Sequence, residues 1–190
     1  MQLSNQTYYA IELLRFLMRS DQDSAWSSKE LAAIVTLDSR GKGHFTDLWR
    51  RIGRDEDDVA IKSRARQVLA EIEAGSMHQP RDWRVIPQIL RDLRKAGYLD
   101  AGPRGFWITE AGGSAALSEV ARTMGEDLGF ARCCSELHYF DCPDIDTCLA
   151  YPLYKKLTDV IQGIFGSVTI SQLSRGEVDI MELLRGQLND

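Results

Sequence analysis

Apolar side chains at Tyr8, Ile11, Leu14, Leu17 and Met18 recur near the helical period over residues 4–19, and Ser4 stands where an N-cap belongs. A polar break from Ser20 to Ser24 separates this helix from a second one. There Ser27 and Glu30 have capping-box spacing, and Leu31, Ala32, Ile34 and Val35 supply the apolar stripe. The segment from Asp38 to Pro80 predicts an insertion, with a flexible Arg40-Gly-Lys-Gly43 followed by helical patterns over His44 to Ile52 and about Asp57 to Ala74. The later pattern places Val59, Ala65, Val68, Leu69 and Ile72 on one side. It begins with acidic residues that suit a helix start, and Gly75-Ser76 stops it.

Beyond Pro80, Ile86, Ile89, Leu90 and Leu93 are spaced to face a core, which leaves Arg84, Gln88, Arg91 and Lys95 pointing outward. Pro87 fits only the first turn of this helix, and Gly97 closes it. Tyr98-Leu99 and Phe106 to Thr109, joined by a turn from Asp100 to Gly105, predict a hairpin. Helix, helix, basic helix and hairpin is winged-helix order. Residues 117–128 predict a further helix, and Leu149 to Ile164 a long one with Leu153, Leu157, Val160, Ile161 and Ile164 as its stripe. Nothing nearby in sequence covers that stripe, so it is expected to pack on a second copy, making a homodimer, or on the chain's own first helix. The tail, Gly176 to Asp190, holds a short amphipathic stretch, Val178 to Leu184, with no recognisable chemistry.

The predicted class is therefore mainly α with a small β-hairpin, in a chain whose 44% apolar content supports a packed core. No leader-like apolar segment and no membrane-length apolar run is present, and a cytoplasmic protein is expected without membrane partners. A net charge of −5 argues against a nucleic-acid partner only until its distribution is followed along the chain. From Arg40 to Arg66 there are eight Lys/Arg against five Asp/Glu, and from Arg81 to Arg104 six against three. From Glu110 to Ala150 the balance reverses, with eight Asp/Glu and two Arg.

All four cysteines, Cys133, Cys134, Cys142 and Cys148, fall within sixteen positions of that acidic stretch. A secreted disulfide scaffold would distribute them to staple a core, so a metal or cluster site is the better reading. Eight residues separate Cys133 from Cys142 and five separate Cys142 from Cys148, wider than the paired spacing of structural zinc sites. Such arcs favour an iron–sulfur cluster, with zinc as the competing occupant. No phosphate cradle, nucleophile elbow or HExxH motif is present, and no enzymatic activity is expected.

Four pieces of the chain resemble the iron–sulfur winged-helix transcription regulators related to IscR, NsrR and RirA. They are the opening Met1 to Leu14, the segment Ile89-Leu-Arg-Asp-Leu-Arg-Lys-Ala-Gly-Tyr-Leu99, Leu117-Ser-Glu-Val120, and Asp141 to Leu149 with the following Tyr154 to Leu173. The cysteine spacing is most like the RirA branch. The resemblance implies a winged helix-turn-helix DNA-binding domain over 1–110, carrying the insertion at 38–80. It also implies a cluster-binding loop and dimerisation helix over 111–173 and a tail over 174–190. It further implies a [4Fe-4S] or [2Fe-2S] cluster on Cys133, Cys142 and Cys148, with Tyr8, Glu12, Cys134 or His138 available to complete it. Two departures stand out: about forty residues intervene before the recognition helix, and Tyr151 replaces a ligating histidine of relatives.

On this basis Arg81, Arg84, Gln88, Arg91, Arg94, Lys95 and Arg104 are the candidate contacts to double-stranded DNA, with Ser28 and Lys29 touching phosphate only. The bland alternative for such a run is a solvated charged face. The insertion is expected to pack through Val59, Val68, Leu69 and Ile72 and to bring Arg50, Arg51, Arg54, Arg64 and Arg66 near the DNA backbone. The functional expectation is a homodimeric transcription regulator whose cluster senses iron supply, redox state or nitric oxide. The competing one is a winged-helix protein-interaction module with a structural zinc loop.

Overall fold

A computed structural model of the chain describes residues 3–20, 24–39, 58–77, 81–135 and 143–189. The first helix, α1 (Asn5–Arg19), begins where Ser4 Oγ accepts the Thr7 N–H at 3.3 Å, and it buries Ala10, Leu13, Leu14, Phe16 and Leu17 at the centre of the core. Phe16 meets the fully buried Trp26 edge-on at 4.7 Å. Helix α2 (Ser28–Ser39) starts with the capping box that its sequence encodes: the Ser27 N–H donates to Glu30 Oε2 at 2.9 Å, and the Glu30 N–H donates back to Ser27 Oγ at 3.2 Å. Leu31, Ala32 and Ile34 are buried below it.

Of the insertion, residues 58–77 are described, while Arg40 to Gly43, the pattern His44 to Ile52, and Arg50, Arg51 and Arg54 lie outside the described residues. Helix α3 (Asp58–Glu73) packs along α2 with Ile61, Ala65 and Val68 buried and Leu69 and Ile72 beside them. Val59 does not join that face and is 74% exposed. At about 100° per residue it stands almost opposite Ile61, so the buried stripe is carried by Ile61 instead. The two helices are also joined by charge. Arg66 Nε donates to Glu30 Oε1 at 3.2 Å, Lys29 lies 3.8 Å from Glu73, and the Lys62 ammonium sits 4.7 Å from the centre of the Trp26 ring.

Burial works against the Glu30 charge, but hydrogen bonds from Ser27 and the Arg66 guanidinium outweigh it and hold the carboxyl below its ordinary value of 4.5. A depressed folded-state pKa stabilises the fold above the unfolded value, and that stabilisation is lost as pH falls through the folded one. Glu30→Gln should therefore lower Tm near neutrality, with the gap to wild type closing as pH drops below 4.5. Calorimetry across the acid range checks this.

A short turn, Arg81–Arg84, leads into α4 (Ile86–Lys95), with Pro87 in its first turn and Ile86, Ile89, Leu90 and Leu93 buried against α1 and α2. Strands β1 (Leu99–Gly102) and β2 (Gly105–Ile108) pair antiparallel, Leu99 opposite Ile108 and Gly102 opposite Gly105. Trp26 extends this hairpin by a bridge to Phe106, which ties the wing to the start of α2. Helix α5 (Glu110–Ser114) follows, capped by Thr109.

Helix α6 (Leu117–Thr123) is shorter than the sequence pattern suggests. Gly125 follows it at φ 78°, a conformation that costs other residues a Cβ clash, and the chain turns away before residue 128. The long helix α7 (Tyr151–Ser167) starts two residues later than predicted, at the Pro152 turn. It packs on α6 and on the C-terminal α9 (Ile180–Asn189), the tail to which no role was assigned, while α8 (Ile170–Arg175) packs on α1 and α5. The fold is mainly helical with one two-stranded hairpin, and in order and packing it is a winged helix followed by a long helix. No described helix is long and apolar enough to cross a membrane.

Candidate metal centre and nucleic-acid interface

The cysteine-bearing segment leaves α6 at Gly125, whose φ is 78°. Its tightest point is Gly129, where a Cβ would lie 2.7 Å from the Cys134 carbonyl oxygen, so only glycine lets the strand pass so close. Cys133 and Cys134 sit in a single turn, Arg132–Cys134, packed against α7. Cys148 stands in the turns that lead into α7, three residues before its first residue. All three are free, half-buried thiols. Burial, the hydrogen bond with Cys134 and the nearness of the Cys134 and Cys148 sulfurs all push the Cys133 thiol above its ordinary value of 9.0. The Cys148 contribution is the smallest of these, and a backbone hydrogen bond at Cys133 works against them. Lys155, one turn into α7, is close enough to feel Cys134 as well, although its ion pair with Asp159 dominates its raised pKa.

Cys142 and His138 lie outside the described residues. Among the described residues no three His, Cys, Asp or Glu side chains are gathered as a metal site. Of the other proposed ligands, Glu12 is 7% exposed on α1 with Arg15 Nη1 at 3.3 Å, and Tyr8 is half-buried with its ring 6.0 Å from that of Tyr9.

The charged run resolves into one face of α4 and its approach. Arg84, Gln88, Arg91 and Lys95 are all exposed and follow the helical repeat on the side opposite Ile86, Ile89, Leu90 and Leu93, with Arg94 exposed on the flank. Gln88 Nε2 donates to Asp92 Oδ2 at 2.8 Å, which orients its amide along the helix. Arg104 is exposed at the tip of the wing. The backbone of Arg81 belongs to the turn before α4, and its side chain is outside what is described. Ser28 and Lys29 open α2, half-buried and exposed respectively, with Lys29 turned toward Glu73 of the insertion. Arg64 and Arg66 are exposed on α3, but Arg66 is held by Glu30 rather than standing clear of the protein.

Sequence reasoning passed over two side chains that position the cysteine segment. Thr158 is the buried residue of α7, where its hydroxyl accepts the Phe130 N–H at 3.0 Å and donates to the Tyr154 carbonyl at 2.9 Å. A threonine inside an apolar helical stripe was the available signal. Glu126 reaches back to the start of α1 and lies in an acidic stretch that reads as merely solvated.

A winged helix with a cationic face on α4 and a cysteine turn is the arrangement of a class of helix-turn-helix regulators, and the comparisons with known proteins agree. The chain is 31% identical over 120 residues to the HTH-type transcriptional regulator IscR of Citrobacter koseri, an alignment covering 61% of this chain and 70% of the relative. IscR proteins of Salmonella paratyphi B and Salmonella newport match to the same extent. No family model and no solved structure matches the chain. The chain belongs to the family of HTH-type transcriptional regulators that includes IscR.

Proposed function

We propose that this chain is a DNA-binding transcriptional regulator, homodimeric and cytoplasmic, that senses iron supply, redox state or nitric oxide through an iron–sulfur cluster on Cys133, Cys142 and Cys148. One observation carries the reading: three free, half-buried thiols stand on the approach to α7, Cys133 and Cys134 in a turn packed against that helix and Cys148 in the turns that lead into it. The donor set fits the group, since clustered thiolates are soft ligands suited to iron and sulfide. When bound, the cluster would supply redox and ligand-exchange chemistry. The chain's own residues hold its surroundings: Thr158 fixes the incoming strand on α7, and Gly129 lets that strand pass Cys134.

The homodimer is supported by α7 itself, seventeen residues long with only Thr158 fully buried. Its outer stripe leaves Leu153 59% exposed, and Leu149 just before it is 99% exposed, an apolar edge that a second copy would bury. The DNA reading is supported by family membership and by the face of Arg84, Arg91 and Lys95. Two such faces in a dimer would enter successive major grooves.

Anaerobic reconstitution with iron and sulfide, followed by visible absorption and metal analysis, tests the cluster. A coloured protein with several irons per chain is the expected result. A colourless protein with stoichiometric zinc overturns it and favours the interaction module. DNA affinity should fall steeply with salt, because neutralising phosphates releases counterions.

A further inference from the structure

Before it reaches Cys133, the cysteine segment is fastened at two points to two different helices. Just past Gly125, Glu126 Oε1 accepts both the Ser4 N–H and the Thr7 hydroxyl at 2.8 Å, across more than a hundred residues of sequence. These donors form the first turn of α1, where backbone N–H groups lack helical partners and the helix dipole favours a negative charge. Four residues later the Phe130 N–H is held by Thr158 of α7, with the Phe130 and Tyr154 rings 5.6 Å apart. Beyond α6 the chain thus runs from α1 to α7 and then directly into Cys133 and Cys134. Helix α1 in turn packs on α4, which bears the cationic face, and on β2 of the wing.

The geometry points to Glu126 as a positioning residue, a strut that transmits rearrangement of the cysteine segment to the first turn of α1 and so to the recognition helix. This rests on the cluster and DNA-binding reading above and adds the route by which one site governs the other. Allosteric coupling requires an element whose position both sites bias, and the stretch from Glu126 to Cys133 touches both halves. Thr7 is 0% exposed and Ser4 caps the same helix, so a shift of Glu126 cannot be absorbed by solvent without disturbing that turn.

The test compares wild type, Glu126→Ala and Glu126→Gln as full-length chains, each before and after anaerobic loading with iron and sulfide. Three quantities are read: visible absorption per chain, hydrogen exchange of residues 4–8, and affinity for a duplex selected from random sequence by the loaded wild type. In wild type, loading should change exchange in the first turn of α1 and shift DNA affinity by roughly 5- to 150-fold, the usual span of allosteric coupling. Glu126→Ala should load equally but show no loading-dependent exchange change, and its affinity ratio should fall to within about twofold of unity. Glu126→Gln should behave as wild type, because its amide oxygen can accept both donors. If Glu126→Ala does not fold, Thr7→Val, which removes one donor at constant shape, should reduce the same ratio. An undiminished ratio in Glu126→Ala (or in Thr7→Val where it stands in), or equal loss of affinity in both forms, overturns the strut. A wild type that stays colourless overturns the cluster reading and the strut with it, and the missing absorption separates that failure from the others.

Discussion

Cys133→Ser and Cys148→Ser should each abolish stable uptake of iron and sulfide, leaving almost none of the wild-type visible absorption after desalting. Serine keeps the shape but offers a hard, weakly acidic oxygen in place of a soft thiolate. Substitution removes a ligand that nearby groups cannot replace well. Lys155, the described charged group that feels Cys134, brings a positive charge and no lone pair for iron. The cluster-free fold should be barely affected, because both cysteines are only half-buried and neither holds another element in place. Cys134→Ser is the informative companion. Its thiol hydrogen-bonds to Cys133, so the substitution should alter the environment of that ligand while leaving iron content near wild type. Iron and sulfide counts on anaerobically loaded protein, with Tm of the unloaded forms, check all three. Wild-type iron in Cys148→Ser would contradict the assignment.

Much of the fold was legible because its signals are local. Ser4, the Ser27 and Glu30 pair, Pro87 and Gly97 mark helix ends through hydrogen bonds or backbone preferences within one turn, and each stands where the sequence placed it. The exposed cationic face of α4 was legible for the same reason, since the helical repeat alone separates Arg84, Arg91 and Lys95 from Ile86, Ile89 and Leu93. What was missed depends on partners distant in sequence. Glu126 gains its role from Ser4 and Thr7, and nothing in its own neighbourhood distinguishes it from the surrounding acidic residues. The covering of α7 by α9 is likewise a long-range packing event that an amphipathic tail pattern does not specify. Val59 was a failure of a different kind, an apolar residue assigned to a face by type although its angular position excluded it.

Arg91→Ala should weaken binding to a selected duplex by about 1–3 kcal/mol, roughly 5- to 150-fold, and relax sequence preference at one base pair. Arg91 is the central cation of the exposed α4 face, one turn beyond Gln88 and one turn before Lys95. An arginine there can present two parallel N–H donors to a guanine edge, and its loss leaves that edge without partners in a site from which water has been excluded. Arg104, exposed at the wing tip, and Lys29, exposed at the start of α2, are assigned to phosphate, so their alanine variants should weaken all duplexes by similar factors and flatten the salt slope. Lys29 carries an added condition. Its ion pair with Glu73 is long, at 3.8 Å, and exposed on both sides, so it contributes little and yields readily to a phosphate. Glu73→Gln should therefore raise nonspecific affinity slightly, while Arg66, bound to Glu30 by a shorter contact, gives up its partner less easily. Titrations at several salt concentrations, on selected and scrambled duplexes, separate these roles. An Arg91→Ala protein that lost affinity equally for both duplexes would place α4 on the backbone and leave base recognition to another element.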